Sequence, residues 1–169
     1  MNFEELLRDK PCSCGMTHRC SIKHVIVESG AVKKVGSLLG SYRKVLLVAD
    51  TNTYATCGEE VKQQIGEKLE SVLIYQREGL LIPNEEAIEE MRAKLTKETD
   101  LIVGIGSGVI QDLCKYVSFD HKLPYFIVAT APSMDGYASP TSSMERAGLK
   151  VSIPSRVPDV ILGDSEILC

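Results

Sequence analysis

A chain of 169 residues with 44% hydrophobic and 25% charged residues is long enough to bury a core, and that balance excludes a disordered chain. The length fits one domain and is short for two. A net charge of −4 gives no electrostatic footing for nucleic acid or an anionic membrane surface as partner. In the first ten residues Glu4, Glu5, Arg8, Asp9 and Lys10 interrupt every apolar run, so neither a signal peptide nor a membrane span is expected. A cytoplasmic location follows as the expectation, with all six cysteines reduced.

Cys12-Ser13-Cys14-Gly15-Met16-Thr17-His18-Arg19-Cys20 gathers three thiols and an imidazole into nine residues. Two readings stay open. Thiolate and imidazole are ligands that structural zinc prefers, but C-x-C-x3-H-x-C departs from finger and ribbon spacings. The plainer reading is a β-hairpin around Gly15 with ligand-free cysteines, and no metal ligand is assigned. Residues 1–21 are read as an extension ahead of an α/β domain over 22–169.

The spacing then predicts a strand over His24–Val27 and a short helix over Ala31–Leu39, with Val32, Val35 and Leu39 inward. Lys44-Val45-Leu46-Leu47-Val48-Ala49 is a continuous apolar run of the kind found in parallel strands covered on both faces. It ends at Asp50, where a carboxylate could accept hydrogen bonds from a ribose diol or cap the helix opened by Thr51, Asn52 and Thr53. Cys57, Val61, Ile65 and Leu69 form one helical stripe, which makes Cys57 a small core residue. A strand over Ser71–Gln76 follows, then a helix capped by Asn84 with Ile88, Met91 and Leu95 inward.

Leu101-Ile102-Val103 next runs into Gly104-Ile105-Gly106-Ser107-Gly108, and an apolar-periodic helix leaves that bend with Val109, Leu113, Tyr116 and Val117 as packing residues. Alternate glycines let backbone approach an anion, and free amides at the helix start point toward it. Ser107 is the expected N-cap. A further strand, Pro124–Ala129, ends in Thr130-Ala131-Pro132-Ser133-Met134-Asp135-Gly136-Tyr137-Ala138-Ser139-Pro140, so two loops rich in glycine and hydroxyls share the carboxyl edge of a sheet. A β-hairpin over 141–153, a strand over Asp159–Gly163 and a helix start at Asp164 complete the pattern. Repeated strand and helix specify an α/β, Rossmann-like layered domain with a mainly parallel sheet and helices on both faces.

G-x-G-S-G-x-x-x-D followed by T-x-x-S-x-D-G-x-A-S-P resembles the sn-glycerol-1-phosphate dehydrogenases, within the iron-containing alcohol dehydrogenase and dehydroquinate synthase-like group. The C-x-C-G-x-x-H start is similar to one in some of its members. The resemblance implies reversible hydride transfer between NAD or NADP and the pair dihydroxyacetone phosphate and sn-glycerol 1-phosphate. It implies cofactor contacts at Asp50, at Gly106, Ser107, Gly108, Val109, Ile110, Gln111 and Asp112, at Thr130, Ala131, Pro132 and Ser133, and at Ser139. Asp135 would meet the substrate. The family's divalent metal (zinc, nickel or iron) is held by an aspartate and two histidines of a C-terminal helical domain. The match stops before that domain, so no metal ligand is expected here, and His18, His24 and His121 lie outside the family's positions. The chain therefore reads as cut, inactive alone and prone to self-association, with a homo-oligomer left open. Alternatives are a glycerol dehydrogenase-like polyol oxidoreductase and a non-catalytic nucleotide-binding module.

Overall fold

The computed structural model describes residues 3–169. A short helix, α1 (Phe3–Leu6), precedes a small antiparallel hairpin of β1 (Lys10–Pro11) and β2 (Thr17–His18) around Gly15. The main domain then alternates strand and helix. β3 (His24–Glu28) leads through a 3-10 turn at Ala31–Lys34 into α2 (Val35–Leu38), and β4 (Val45–Asp50) leads into α3 (Thr51–Ile65). β5 (Leu69–Tyr75), α4 (Glu85–Arg92), β6 (Leu101–Gly106), α5 (Gly108–Asp120) and β7 (Tyr125–Ala129) follow. A hairpin of β8 (Thr141–Arg146) and β9 (Leu149–Pro154) precedes β10 (Val160–Asp164).

Six strands form one wholly parallel sheet in the order β3-β10-β7-β6-β4-β5. The inner strands are buried along nearly their whole length, which is why their sequences are unbroken apolar runs. Alternate residues face opposite ways. Leu46, Val48 and Ile102 pack with Ile88, Met91 and Leu113 of α4 and α5 on one face. Val45, Leu47 and Val103 pack with Val35, Val61 and Ile65 of α2 and α3 on the other. Each such side chain contributes about 1.5–3 kcal/mol by leaving water. Among the described residues no helix is long and apolar enough to cross a membrane.

The differences from the expected elements have local causes. Gly66 takes φ 58° and ends α3 at Ile65, so Leu69 belongs to β5 and not to the helical stripe. α4 stops at Arg92, and Leu95 packs from the turn beyond it. After Asp164 the chain makes one turn, with Ile167 and Leu168 amides donating to the Asp164 carbonyl, and no helix of the expected kind. All six cysteines are free thiols. Burial pushes the Cys57 thiol up to about 11 and the Cys114 thiol further, so neither is a nucleophile at neutral pH.

Candidate functional site

α3 and α5, the helices that follow the neighbouring strands β4 and β6, lie on opposite faces of the sheet. A crevice therefore opens between the carboxyl ends of those two strands, the switch point at which open α/β sheets take ligands. The glycine-spaced bend forms its floor. Its three glycines have different causes. A Cβ at Gly104 would stand 2.8 Å from Cys114 Sγ, and one at Gly106 would stand 2.7 Å from Ile110 Cβ, so both positions let α5 press against β6. Only Gly108 looks outward. Its φ of +43° turns the chain into the helix, and Met134 Cε is the one atom near it.

Ser107 occupies the N-cap position, but its side chain makes no capping bond. The Ile110 amide instead donates to the Ser107 carbonyl at 3.2 Å, and the Ser107 hydroxyl lies against the Tyr137 phenol. The Gly108 and Val109 amides that open α5 have no intrahelical acceptor, and no acidic residue stands in the first turn to offset the positive end of the helix dipole.

Three clefts meet at Gly108. One, of about 440 Å³, runs toward Asp50, Thr51, Asn52 and Arg77. A second, of about 320 Å³, is lined by Asp112, Lys115, Asp135, Ser139 and Thr141. The third, of about 380 Å³, is more apolar, with Ile82, Val109, Met134 and Met144 on its walls. Val109 lines the first and third, and Ser107 the first. Thr130, Ala131, Pro132 and Ser133 line none of these three. Thr130 is half-buried at the end of β7, the Ala131 carbonyl accepts from Tyr137 Oη at 3.0 Å, and Pro132 and Ser133 are exposed.

The polar groups around this trench differ in how far they are already engaged. Asp50 caps α3: its Oδ1 accepts from the Thr53 amide at 2.8 Å, and Thr53 Oγ1 accepts in return from the Asp50 amide at 3.0 Å. One carboxylate oxygen remains toward the cleft. Arg77, across from it, is paired with Glu90 and lies 3.9 Å from Glu86. The hydrogen bond that Arg77 donates to the Glu90 carboxylate raises the Arg77 pKa further.

On the other side, Lys115 is almost fully buried. Its Nζ donates to the carbonyls of Thr141 at 2.7 Å and Gly136 at 3.1 Å and lies 3.3 Å from Asp112 Oδ1. Burial lowers the Lys115 pKa and raises that of Asp112, and each opposes the other's shift. Gln111, also buried, donates to the Gly136 carbonyl at 2.8 Å. The Ile110 side chain belongs to the core. Gln111 and Lys115 fasten the 130–140 loop to α5 through the Gly136 carbonyl, and Asp112 holds the Lys115 ammonium. Asp135, exposed on that loop before the 3-10 turn Gly136–Ala138, makes no capping bond. Ser139 lies 2.9 Å from Thr141 Oγ1.

Against known proteins, the sequence profile described as iron-containing alcohol dehydrogenase matches residues 26–169. The chain belongs to the iron-containing alcohol dehydrogenase family. Among its relatives, the glycerol-1-phosphate dehydrogenase [NAD(P)+] of Geobacillus thermodenitrificans is 29% identical over 95% of this chain and 41% of its own length. The one from Thermoplasma acidophilum is 30% identical over 75% of this chain and 35% of its own. The chain thus spans about two fifths of the relatives' length. The crystal structure of glycerol dehydrogenase from Schizosaccharomyces pombe superimposes with a TM-score of 0.74 at 18% identity, over 87% of this chain and 38% of that one. At that identity the likeness establishes the shared fold.

For a family named for iron, the donors of this chain are informative. Among the described residues no group of three His, Cys, Asp or Glu side chains converges on the clefts; the single such group is Cys12, Cys14 and His18, on the β1–β2 hairpin. The residues around the trench do not fit a metal ion by themselves. They do fit an anionic, hydroxyl-rich ligand, because Gly108 would otherwise carry a Cβ over the helix start and Asp135 is an unengaged acceptor. Sequence reasoning missed Arg77 and Lys115. The Asp112–Lys115 spacing of three on an otherwise apolar helix, next to Gln111, was the available signal for Lys115; Arg77 follows a strand end with no pattern to mark it.

Proposed function

We propose that this chain is the dinucleotide-binding part of an sn-glycerol-1-phosphate dehydrogenase, reversibly passing hydride between NAD(P)H and dihydroxyacetone phosphate. The observation that carries the reading is the meeting of three clefts at Gly108, with a carboxylate on either side. The amides that open α5 would hold the pyrophosphate, where no side chain intervenes. Asp50 would accept from the ribose diol with its remaining oxygen. Ser139 would stand beside the nicotinamide, which supplies the hydride when bound, and Asp135 would accept from a substrate hydroxyl and fix its orientation. Gln111, Asp112 and Lys115 act on the loop by holding it in place. Thr130 and Ser133, on that same loop, would complete the nucleotide contacts.

NAD is the better fit of the two cofactors. A 2′-phosphate would meet the Asp50 carboxylate, and the nearby guanidinium of Arg77 is already engaged by Glu90. The groups that would hold the substrate phosphate and the metal belong to sequence beyond the matched two fifths, so the chain is proposed to bind cofactor without turning it over. Calorimetric titration of the 169-residue chain with NADH and NADPH tests this. Saturable NADH binding, tighter than NADPH and weakened in Asp50→Ala, is expected. No saturable binding of either nucleotide, or equal affinities in the wild type and Asp50→Ala, would overturn the assignment.

A further inference from the structure

We propose that the N-terminal hairpin is a metal site in which Cys12, Cys14 and His18 hold one thiophilic divalent cation of the zinc class. The site stands whether or not the chain binds a dinucleotide. Gly15, at φ 85°, turns the chain. The Gly15 amide donates to the Cys12 carbonyl at 3.0 Å, and the Cys12 amide donates to the Met16 carbonyl at 2.9 Å. β2 returns alongside β1 with His18 opposite Lys10. This fold-back brings the two thiols and the imidazole together, with all three donor atoms within 4.8 Å of one another. A linear sequence spacing hides that convergence, since His18 reaches the cysteines across the hairpin and not along the strand.

The distances suit coordination. Zinc–sulfur bonds of about 2.3 Å and zinc–nitrogen bonds of about 2.0–2.1 Å at tetrahedral angles set sulfur and nitrogen roughly 3.6 Å apart. Cys14 Sγ and His18 Nε2 are 3.4 Å apart. A thiol–imidazole hydrogen bond accounts for that pair, and the Cys12 thiol lies within 4.8 Å of both donors as well, which makes a third ligand of it. Two thiolates and a neutral imidazole neutralise a divalent ion and select against hard cations such as magnesium. Cys20 lies outside the cluster, which leaves the fourth position to water or an external ligand.

The hairpin also needs a fastening. Its strands are two residues each, all four exposed, and a two-stranded ribbon is marginal by itself in water. The Arg19–Asp9 ion pair beside it is exposed and contributes little. A bound cation would close the loop from Cys12 to His18 as a cross-link, with binding energy appearing as local order.

The test is anaerobic titration of the reduced, chelator-stripped full chain with Co(II). Thiolate-to-cobalt charge transfer and intense d–d bands of a near-tetrahedral site are expected, saturating at a single cobalt per chain and bleached by Zn(II). Cys14→Ser and His18→Ala should each weaken binding by more than about tenfold, since losing even an outer-shell partner costs roughly 10–100-fold. Cys169→Ser, an exposed thiol elsewhere, should leave the titration unchanged. Zinc should also slow amide exchange over residues 10–20 without moving the unfolding of the main sheet, and Cys14→Ser and His18→Ala should unfold at the wild-type midpoint, which shows that the variants remain folded. A weak octahedral spectrum, or charge transfer that survives in the Cys12→Ser/Cys14→Ser double variant, would overturn the proposal.

Discussion

Two regions of the carboxyl edge of the sheet use aspartate in opposite ways. At the β10 end, buried Asp164 is wholly engaged: its two oxygens accept from the amides of Gly30, Val32 and Glu166 at 3.0–3.1 Å and so lock the turn after β3 to β10. At the central trench, Asp50 has one oxygen in a helix cap, and Asp135 makes no capping bond at all. Asp164 and Asp50 each end a strand of the same sheet, and Asp135 lies in the loop that follows a third, so sequence position alone does not tell fastening from contact. What separates a fastening from a contact point is the acceptor capacity left over once neighbouring amides are satisfied.

Lys115 gives the strongest way to break that contrast, because it holds the loop on which Asp135 stands. Lys115→Ala takes their cation from the partly buried Asp112 carboxylate and the Thr141 carbonyl and leaves the Gly136 carbonyl to Gln111 alone among side chains, and a loss of about 3 kcal/mol in urea denaturation is expected. The same variant should lose the loop's share of dinucleotide affinity by calorimetry. If stability is unchanged, the loop is not fastened through this lysine.

Asp164→Ala comes next. It strands buried amides, at about 1–3 kcal/mol. Burial pushes the Asp164 carboxyl pKa up, but the amides of Val32, Glu166 and Gly30 outweigh it and hold the group below its ordinary value. A folded pKa depressed below the unfolded one, about 3.9 for aspartate, means that the stabilisation is present above that value and lost as pH falls through the folded one. Acid titration of stability should show this loss in the wild type and lack it in Asp164→Asn.

Asp50→Ala should cost about 1 kcal/mol through the lost cap, and Asp50→Asn much less, since asparagine also caps. Thermal melts separate the two, and both should weaken NADH. Asp135→Asn should be the quietest in stability, within about 0.5 kcal/mol, because its carboxylate makes no capping bond. A larger change in its denaturation curve would show that this aspartate fastens the loop and would erase the contrast with Asp164.

The layered architecture was legible in the chain because short apolar runs such as Val45–Ala49 and Leu101–Val103, alternating with helical patterns, fit inner parallel strands, and because Asn84 and Asp50 sit at helix starts as their chemistry favours. The glycine bend was legible as a corner, yet two of its glycines serve the packing of α5, a cause that only three-dimensional proximity to Cys114 and Ile110 reveals. Lys115 was hidden because charge in a helix reads as a solvated face, and this lysine is buried against carbonyls of another element. Cys12, Cys14 and His18 were discounted on spacing, a one-dimensional measure that a tight turn overrides.

β3 hydrogen-bonds within the main sheet to β10 alone, and β10 leaves the ribosome after every other strand of that sheet. During synthesis the first strand of the sheet must therefore wait without a neighbour while the β4–β7 centre assembles, and the edge closes only when Val160–Asp164 slot in between. Closing a connection that long is entropically costly and slow. A nascent chain paused before residue 160 would present β7 as a bare rim, open to a chaperone or to a second nascent copy.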